Sequence, residues 1–167
     1  MPILNRDTPW VVSEDLPGPV RRALADVARD WRRVFATEPR LRPASAGLPR
    51  AEPVVVIGDD AAALVVGEQE PLADEAHCVR VHTTADGRSA IVVVGGGVRG
   101  LIYALYALSE HVLGVDPFWF WTDQRIGQAE QLEVDAGLHH RREAPRFRWR
   151  GWFCNDEDLL TAWGPGP

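Results

Sequence analysis

Apolar residues recur at helical spacing in two stretches of the chain. The first stripe is spaced by four, three, four and three positions: Val20, Leu24, Val27, Trp31 and Val34. This spacing places the apolar side chains on one face of a helix and predicts that helix over about residues 19–36. A similar stripe predicts a second helix over about residues 98–113, ended by Gly114. The polar, proline-rich residues 39–53 between them predict a loop.

Strand patterns lie between the two predicted helices. Residues 54–57 form a short β-branched run, residues 77–83 alternate between apolar and polar positions, and residues 90–94 are apolar on both faces. Asp86-Gly87 separates the last two runs and supplies the backbone angles of a tight hairpin turn. The element order predicts an α/β (α+β) fold in which two helices cover a small sheet.

Composition and charge narrow the class of protein. The 167 residues are 46% hydrophobic and 25% charged, with a formal net charge of −6, which indicates one soluble domain and disfavours nucleic acid as a partner. The chain contains neither a signal-peptide pattern nor an apolar run of the ~20 residues that cross a membrane. We therefore expect a cytoplasmic protein without membrane association. Its two cysteines match no zinc-site spacing, so no metal or cofactor is expected.

A glycine-rich turn, Gly95–Gly100, joins the last predicted strand to the second predicted helix. Its letters match the dinucleotide-binding pattern G-x-G-x-x-G, in which a helix N-terminus holds phosphate. That pattern also requires an acidic residue at the end of a second parallel strand, and Asp123 follows a run too bulky for such a strand. We favour the other interpretation, a turn that lets the helix pack closely on its sheet, and keep nucleotide binding as an alternative.

Aromatic residues concentrate after Gly114. Eight of the fourteen lie between residues 118 and 153. Within the run Phe118–Trp121, Trp119 and Trp121 either stack on sugar rings or form a seam with another domain. Residues 146–150 alternate arginine with aromatic residues, which predicts a strand more readily than a platform for single-stranded nucleic acid.

An acidic cluster, residues 155–158, follows this predicted strand. Carboxylates at the carboxyl end of a strand are where (β/α)₈ barrels build their active sites. The same residues could instead cap the next helix, where negative charge favours the helix dipole. The residues alone leave both interpretations open.

Three segments together resemble a known family: residues 99–115, the aromatic run 118–123, and residues 150–158. They resemble the N-terminal part of glycoside hydrolase family 115, the xylan α-1,2-glucuronidases, over roughly residues 54–163. The resemblance implies an accessory α/β domain over residues 1–145 and the start of a catalytic barrel over residues 146–167, beginning with a strand over residues 146–154. It also implies that Asn155, Asp156 and Glu157 line a uronic-acid pocket.

Family members release glucuronic acid or its 4-O-methyl form from xylan by inversion, without a cofactor. Inversion uses two carboxyl groups about 6.5–9.5 Å apart, which the resemblance implies on later strands. Because 22 residues follow Pro145 and a barrel needs about 250, we expect an N-terminal fragment that is inactive alone and associates with itself through its exposed aromatic seam. The alternatives are a stand-alone carbohydrate-binding or scaffolding module and, less favoured, a nucleotide-binding domain.

Overall fold

A computed structural model describes residues 1–50 and 53–151. Its elements in chain order are β1 (Ile3–Asn5), β2 (Pro9–Val12), α1 (Gly18–Phe35), β3 (Arg40–Pro43), a 3₁₀ turn (Ala44–Ala46), β4 (Val54–Ile57), α2 (Asp59–Val66), β5 (His77–Thr83), β6 (Ser89–Gly95), α3 (Gly97–His111), β7 (Gln131–Glu133) and β8 (His139–Arg142). The predicted α+β class is confirmed, and so are both predicted helices and the predicted hairpin.

Six strands form one mixed sheet in the order β3-β2-β4-β6-β5-β8. The first four are parallel, while β5 is antiparallel to both of its neighbours, β6 and β8. The parallel strands therefore end at one edge of the sheet, which we call the carboxyl edge, and β8 ends there too. A separate antiparallel pair joins β1 to β7.

One face of the sheet is covered by α1 and α3. The predicted stripe of α1 is buried there, and Trp31 packs edge-on against Trp10 of β2 with ring centroids 5.3 Å apart. The two helices are also joined by hydrogen bonds: the Tyr106 hydroxyl donates to Asp26 at 2.8 Å, and the Ser109 hydroxyl donates to Asp30 at 2.7 Å. Both helices follow strands that run toward the carboxyl edge, so both return toward the opposite edge, the amino edge.

The other face carries a third helix, α2, so the prediction of two helices is wrong. Its eight residues pack Ala61 and Ala62 against the apolar side chains of β2, β4 and β6. The helix begins directly after β4 through Gly58, whose φ of +88° favours glycine. The Ser13 hydroxyl, which lies just past β2, accepts a hydrogen bond from Ala61 N at 3.3 Å and satisfies one backbone donor of the first turn.

Two further sequence predictions fail in part. The loop predicted over residues 39–53 contains β3 and the 3₁₀ turn, because β3 is an edge strand held by backbone pairing to β2 although its side chains are mostly exposed. The strand predicted over residues 146–154 is not found in its described part, residues 146–151, which form bends. A strand needs a neighbour to pair with, and within the described chain nothing pairs with this segment. Its remainder lies outside the described residues, so the start of a barrel stays a prediction.

Candidate functional site

The turn Gly95–Gly100 packs directly against backbone. A Cβ on Gly96 would lie 1.8 Å from the Ala73 carbonyl oxygen, and a Cβ on Gly100 would lie 2.5 Å from the Ala76 carbonyl oxygen. Gly96 also donates a hydrogen bond to Ala76 O at 2.8 Å. Glycine is therefore required here because the chain before β5 lies against the start of α3, which is the close packing predicted from the sequence.

This packing removes the conditions for a dinucleotide site. Backbone atoms of residues 72–76 lie against Gly96 and Gly100, and the Asp74 carboxylate, which would repel a phosphate, lies beside Gly97. Within residues 53–151, α3 leads to no further strand parallel to β6 at its side, since β7 pairs with β1 in the other sheet. Asp123 is exposed in a turn beyond α3. The nucleotide-binding alternative is therefore not supported.

A buried carboxylate lies beside the glycine turn. Glu75 is 8% exposed and has a φ of +66°, unusual for a residue with a side chain. Its carboxylate accepts a hydrogen bond from Arg99 of α3 at 2.9 Å and a second from Arg150. Arg150 also donates to the Tyr103 hydroxyl at 3.2 Å. Glu75 therefore attaches the exit segment, which we define as residues 143–151, to the carboxyl edge of the sheet.

The ion pairs determine how Glu75 titrates. The hydrogen bond from Arg150, supported by that from Arg99, lowers the pKa of Glu75 below its usual 4.5 although burial opposes this. A carboxyl group whose pKa is lowered by folding contributes stability above its unfolded pKa, and this stability is lost as the pH falls. The attachment of the exit segment therefore weakens only below about pH 4.5.

Three histidines form a second cluster, between α3 and the edge strand β8. The His140 ring lies 4.0 Å from His111 and 5.7 Å from His77, and His77 meets Tyr103 edge-on at 5.7 Å, all between centroids. Among the described residues, no group of three or more His, Cys, Asp or Glu could hold a metal ion. The cluster is therefore a stack of rings that packs β8 against α3.

Folding lowers the pKa of two of these histidines, His140 and His77. Burial, followed by the charge of nearby His111 and Arg142, lowers the pKa of His140 below 6.5. Burial also lowers the pKa of His77, with Arg142 and His111 adding to the shift. Because the unfolded chain binds these protons more readily, stability is full above about pH 6.5 and falls as the pH decreases from there.

Sequence reasoning missed both clusters. Glu75, Arg99 and Arg150 are separated by up to 75 positions and match no motif. The pair His139-His140 was visible, but nothing in its spacing indicated that β8 would place His140 beside His77. No local signal could have marked this edge strand, because all four residues of β8 are polar.

The aromatic run Phe118–Trp121 forms turns at the amino edge, beyond α3. Trp119 is half-buried against the core, and the Arg33 guanidinium lies 4.7 Å from its ring centroid. Trp121 is 77% exposed, and the ring of Phe120 stands nearly perpendicular to it at 84°. The run therefore leaves the Trp121 indole open to solvent, while Arg33 lies over the Trp119 ring. The two alternatives for these tryptophans, sugar stacking or a seam, stay predictions.

Within residues 53–151, the exposed aromatic side chains lie in two places and not in one continuous seam. Phe147 and Trp149 are 70% and 82% exposed and lie in the exit segment, which Glu75 holds near the first turns of α3. The run Phe118–Trp121 lies past the other end of that helix, whose 15 residues span about 22 Å. The described aromatic residues thus form two separate apolar surfaces, and self-association through them stays a prediction.

A cavity of about 540 Å³ lies on the face of the sheet that carries α2. We call it the α2 cleft. One wall is α2 itself, the other is the loop over residues 67–72, and the floor is the sheet. The floor residues are Cys78, Arg80, Val92, Val94 and Arg141. Burial raises the pKa of the Cys78 thiol, so its sulfur is a neutral part of this floor.

The predicted uronic-acid residues Asn155, Asp156 and Glu157 lie outside the described residues, so their role stays a prediction.

The residues that the structure does describe contain no helix long and apolar enough to cross a membrane.

Comparison with solved structures shows what this fold is similar to. No protein-family model matches the sequence, and no curated protein matches it. A solved structure described as a family GH115 4-O-methyl-α-glucuronidase, BtGH115A, with specificity for decorated arabinogalactans, superposes on 86% of this chain with a TM-score of 0.57 and 18% sequence identity. This chain spans 18% of the length of that protein. At this identity the likeness shows the fold: the α+β domain described here is similar to part of a glycoside hydrolase.

Proposed function

We propose that this chain is the accessory α/β domain of a glycoside hydrolase that removes 4-O-methylglucuronic acid or glucuronic acid from a decorated plant polysaccharide. The observation that carries the proposal is the superposition on a GH115 glucuronidase over 86% of this chain. The resemblance stated for residues 99–110, 113–115, 118–123 and 150–158 points to the same family, although no family model matches the sequence.

The proposal places catalysis in a part of the enzyme that follows the accessory domain. Inverting hydrolysis needs a general acid and a general base separated by about 6.5–9.5 Å, with space for a water molecule between them. We propose that residues 146–167 begin the barrel that carries this pair, and that Asn155, Asp156 and Glu157 line its uronic-acid pocket. The accessory domain then contributes a rigid support through the exit segment held by Glu75.

The substrate is proposed as a class. The resemblance implies glucuronoxylan, whereas the structurally similar glucuronidase is described as specific for decorated arabinogalactans. Both polysaccharides carry the same terminal sugar, so the shared chemistry is recognition of a uronate carboxylate together with cleavage of its glycosidic bond.

The test compares this chain with the longer polypeptide encoded by its reading frame. Both are incubated with aldouronic acids from glucuronoxylan and with glucuronidated arabinogalactan, and released uronic acid is quantified. We expect release by the longer polypeptide, loss of release in its Glu157→Gln variant, and none by the 167-residue chain. Turnover by the chain alone, or a reading frame that encodes no barrel, would contradict the proposal.

A carbohydrate-binding module is the second candidate, and the exposed indole of Trp121 favours it. Its test is binding of glucuronoxylan oligosaccharides by this chain, lost in Trp121→Ala. Trp119→Ala is a weaker probe, because Arg33 already covers one face of that ring.

A further inference from the structure

The α2 cleft exists because α2 is too short to cover its face of the sheet. The apolar cluster beneath α2 takes its strand residues from β2, β4 and β6. On the same face, β5 and β8 present Cys78, Arg80 and Arg141 to the cleft instead. Only the loop over residues 67–72 stands opposite them among the described residues. The result is a cavity of about 540 Å³, within the range of about 300–1,000 Å³ typical of small-ligand sites.

The walls of the cleft carry hydrogen-bond donors and acceptors together. Arg80 and Arg141 donate from the floor. Acceptor carboxylates stand on the walls: Asp59, Asp60, Glu68 and Glu70. Arg80 donates to the Gln69 side chain at 3.1 Å, which ties the loop wall to the floor. Burial and the neighbouring Asp60 raise the pKa of Asp59, as expected for a carboxyl group in a concave, partly desolvated position.

The lining mixes both signs of charge instead of presenting one. Four carboxylates on the walls disfavour an anion, while the guanidinium groups of Arg80 and Arg141 on the floor offer hydrogen-bond donors to an uncharged acceptor. Arg141 also pairs with Glu143 at 2.7 Å, which holds its side chain in place on the floor. Between these groups, Val92, Val94, Pro71 and Leu72 offer apolar contact. A ligand complementary to this lining is neutral, carries hydroxyl groups that both donate and accept hydrogen bonds, and has an apolar C–H face.

We infer that the α2 cleft is a binding site for a neutral saccharide of one or two units. The inference concerns the 167-residue chain and needs neither the barrel nor its catalytic pair. It would hold an undecorated pentose or hexose unit of a glycan.

The test is saturation-transfer NMR on the 167-residue chain with four probes at ~20 mM, a concentration suited to millimolar affinity. Methyl β-xylopyranoside and methyl β-galactopyranoside are the neutral probes, sodium glucuronate is the anion, and spermidine is the cation. We expect transfer to at least one neutral glycoside and an affinity at least tenfold lower for both ions.

Two variants test whether the saccharide binds in the α2 cleft, and each changes the cleft in a different way. Arg80→Met keeps the aliphatic stem but removes the donors, while Ala63→Trp fills the cleft from an exposed position on α2. Each should weaken neutral-glycoside binding at least tenfold. Arg22→Met, on the exposed side of α1, is the matched control and should bind as the unmodified chain does. Circular dichroism establishes that each variant is folded, and whichever cleft variant folds is sufficient for the test.

The inference is overturned by any of three results: no transfer to either neutral glycoside, tighter binding of glucuronate or spermidine, or binding that both folded cleft variants retain. These results are distinguishable from failure of the proposed function, which concerns hydrolysis by the longer polypeptide. Binding that survives the cleft variants but is lost in Trp121→Ala would place the saccharide on the aromatic run instead.

Discussion

Replacing Gly100 with alanine tests whether the glycine-rich turn serves packing. Gly100 lies in the first turn of α3, where alanine is intrinsically favoured over glycine by about 0.5–1 kcal/mol. If the turn were open, Gly100→Ala would therefore stabilise the protein. In the structure, the added Cβ would lie 2.5 Å from the Ala76 carbonyl oxygen and 3.1 Å from the Gly95 carbonyl carbon. Both neighbours are backbone, so neither can rotate away.

The steric effect outweighs the helix preference. Relieving both contacts requires α3 to move away from the chain before β5, and overpacking of this kind typically costs about 1–3 kcal/mol. Two backbone contacts place Gly100→Ala near the upper end of that range. After subtraction of the helix gain, the expected net loss is about 2 kcal/mol in the free energy of unfolding. For a chain of this size, that loss lowers the Tm by about 4–8 °C.

The assay is denaturant and thermal unfolding followed by circular dichroism, with Gly127→Ala as the control. A Cβ added to Gly127 would have no heavy atom within 4 Å, and Gly127 has no positive φ. Gly127→Ala should therefore raise the free energy of unfolding by at most about 1 kcal/mol. Gly96→Ala, with a 1.8 Å approach to Ala73 O, should be more destabilising than Gly100→Ala. A Gly100→Ala protein as stable as the unmodified chain would refute the packing argument. The packing argument would also be refuted if calorimetry measured heat on adding NAD to the unmodified chain and Gly97→Val abolished that heat.

Four further outcomes are expected. The free energy of unfolding should fall between pH 7 and pH 5, because folding lowers the pKa of His140; His140→Asn should flatten this dependence in denaturant titrations, while His139→Asn, on the opposite face of β8, should leave it intact. Light scattering should show self-association at high concentration that Trp121→Ala reduces, and a monomeric unmodified chain would contradict this. Trp31→Ala should lower the free energy of unfolding by about 3–5 kcal/mol, since its ring is fully buried; a loss below 1 kcal/mol in chemical denaturation would be inconsistent with that burial. Glu75→Gln should speed tryptic cleavage within the exit segment, and unchanged cleavage would show that the ion pairs do not hold it.

The sequence predicted the elements whose signals are local. The stripe of α1 specifies a buried helix face whatever lies beneath it, and Asp86-Gly87 sets a hairpin whose register then follows from the turn. The glycine turn was also interpreted correctly, because a strand followed by three glycines and an apolar helix leaves close packing as the simpler explanation.

The missed elements depend on distant partners. β8 consists of His139, His140, Arg141 and Arg142 and has no apolar position, so only its pairing with β5 makes it a strand. The helix α2 has eight residues and no polar stripe, and its first turn is completed by Ser13 from 48 positions away. The same reason explains why Glu75 escaped notice: a carboxylate acquires a role here only when two arginines from distant segments reach it.

The two edges of the sheet divide the molecule into independent surfaces. At the carboxyl edge, Glu75 is fixed to α3 by Arg99 and by its own N–H, which donates to Gly96 O at 2.9 Å. Since Arg150 is bound to the same carboxylate and to the Tyr103 hydroxyl, residue 150 lies beside the first turns of α3, and a domain joined shortly after it would be attached at this edge. The α2 cleft reaches the same edge through Asp59 and Asp60, whereas Trp121 lies at the amino edge. A domain attached at the carboxyl edge would therefore leave Trp121 exposed, and self-association through Trp121 should persist in the longer polypeptide. Saccharide binding in the α2 cleft is the property that such a domain would alter.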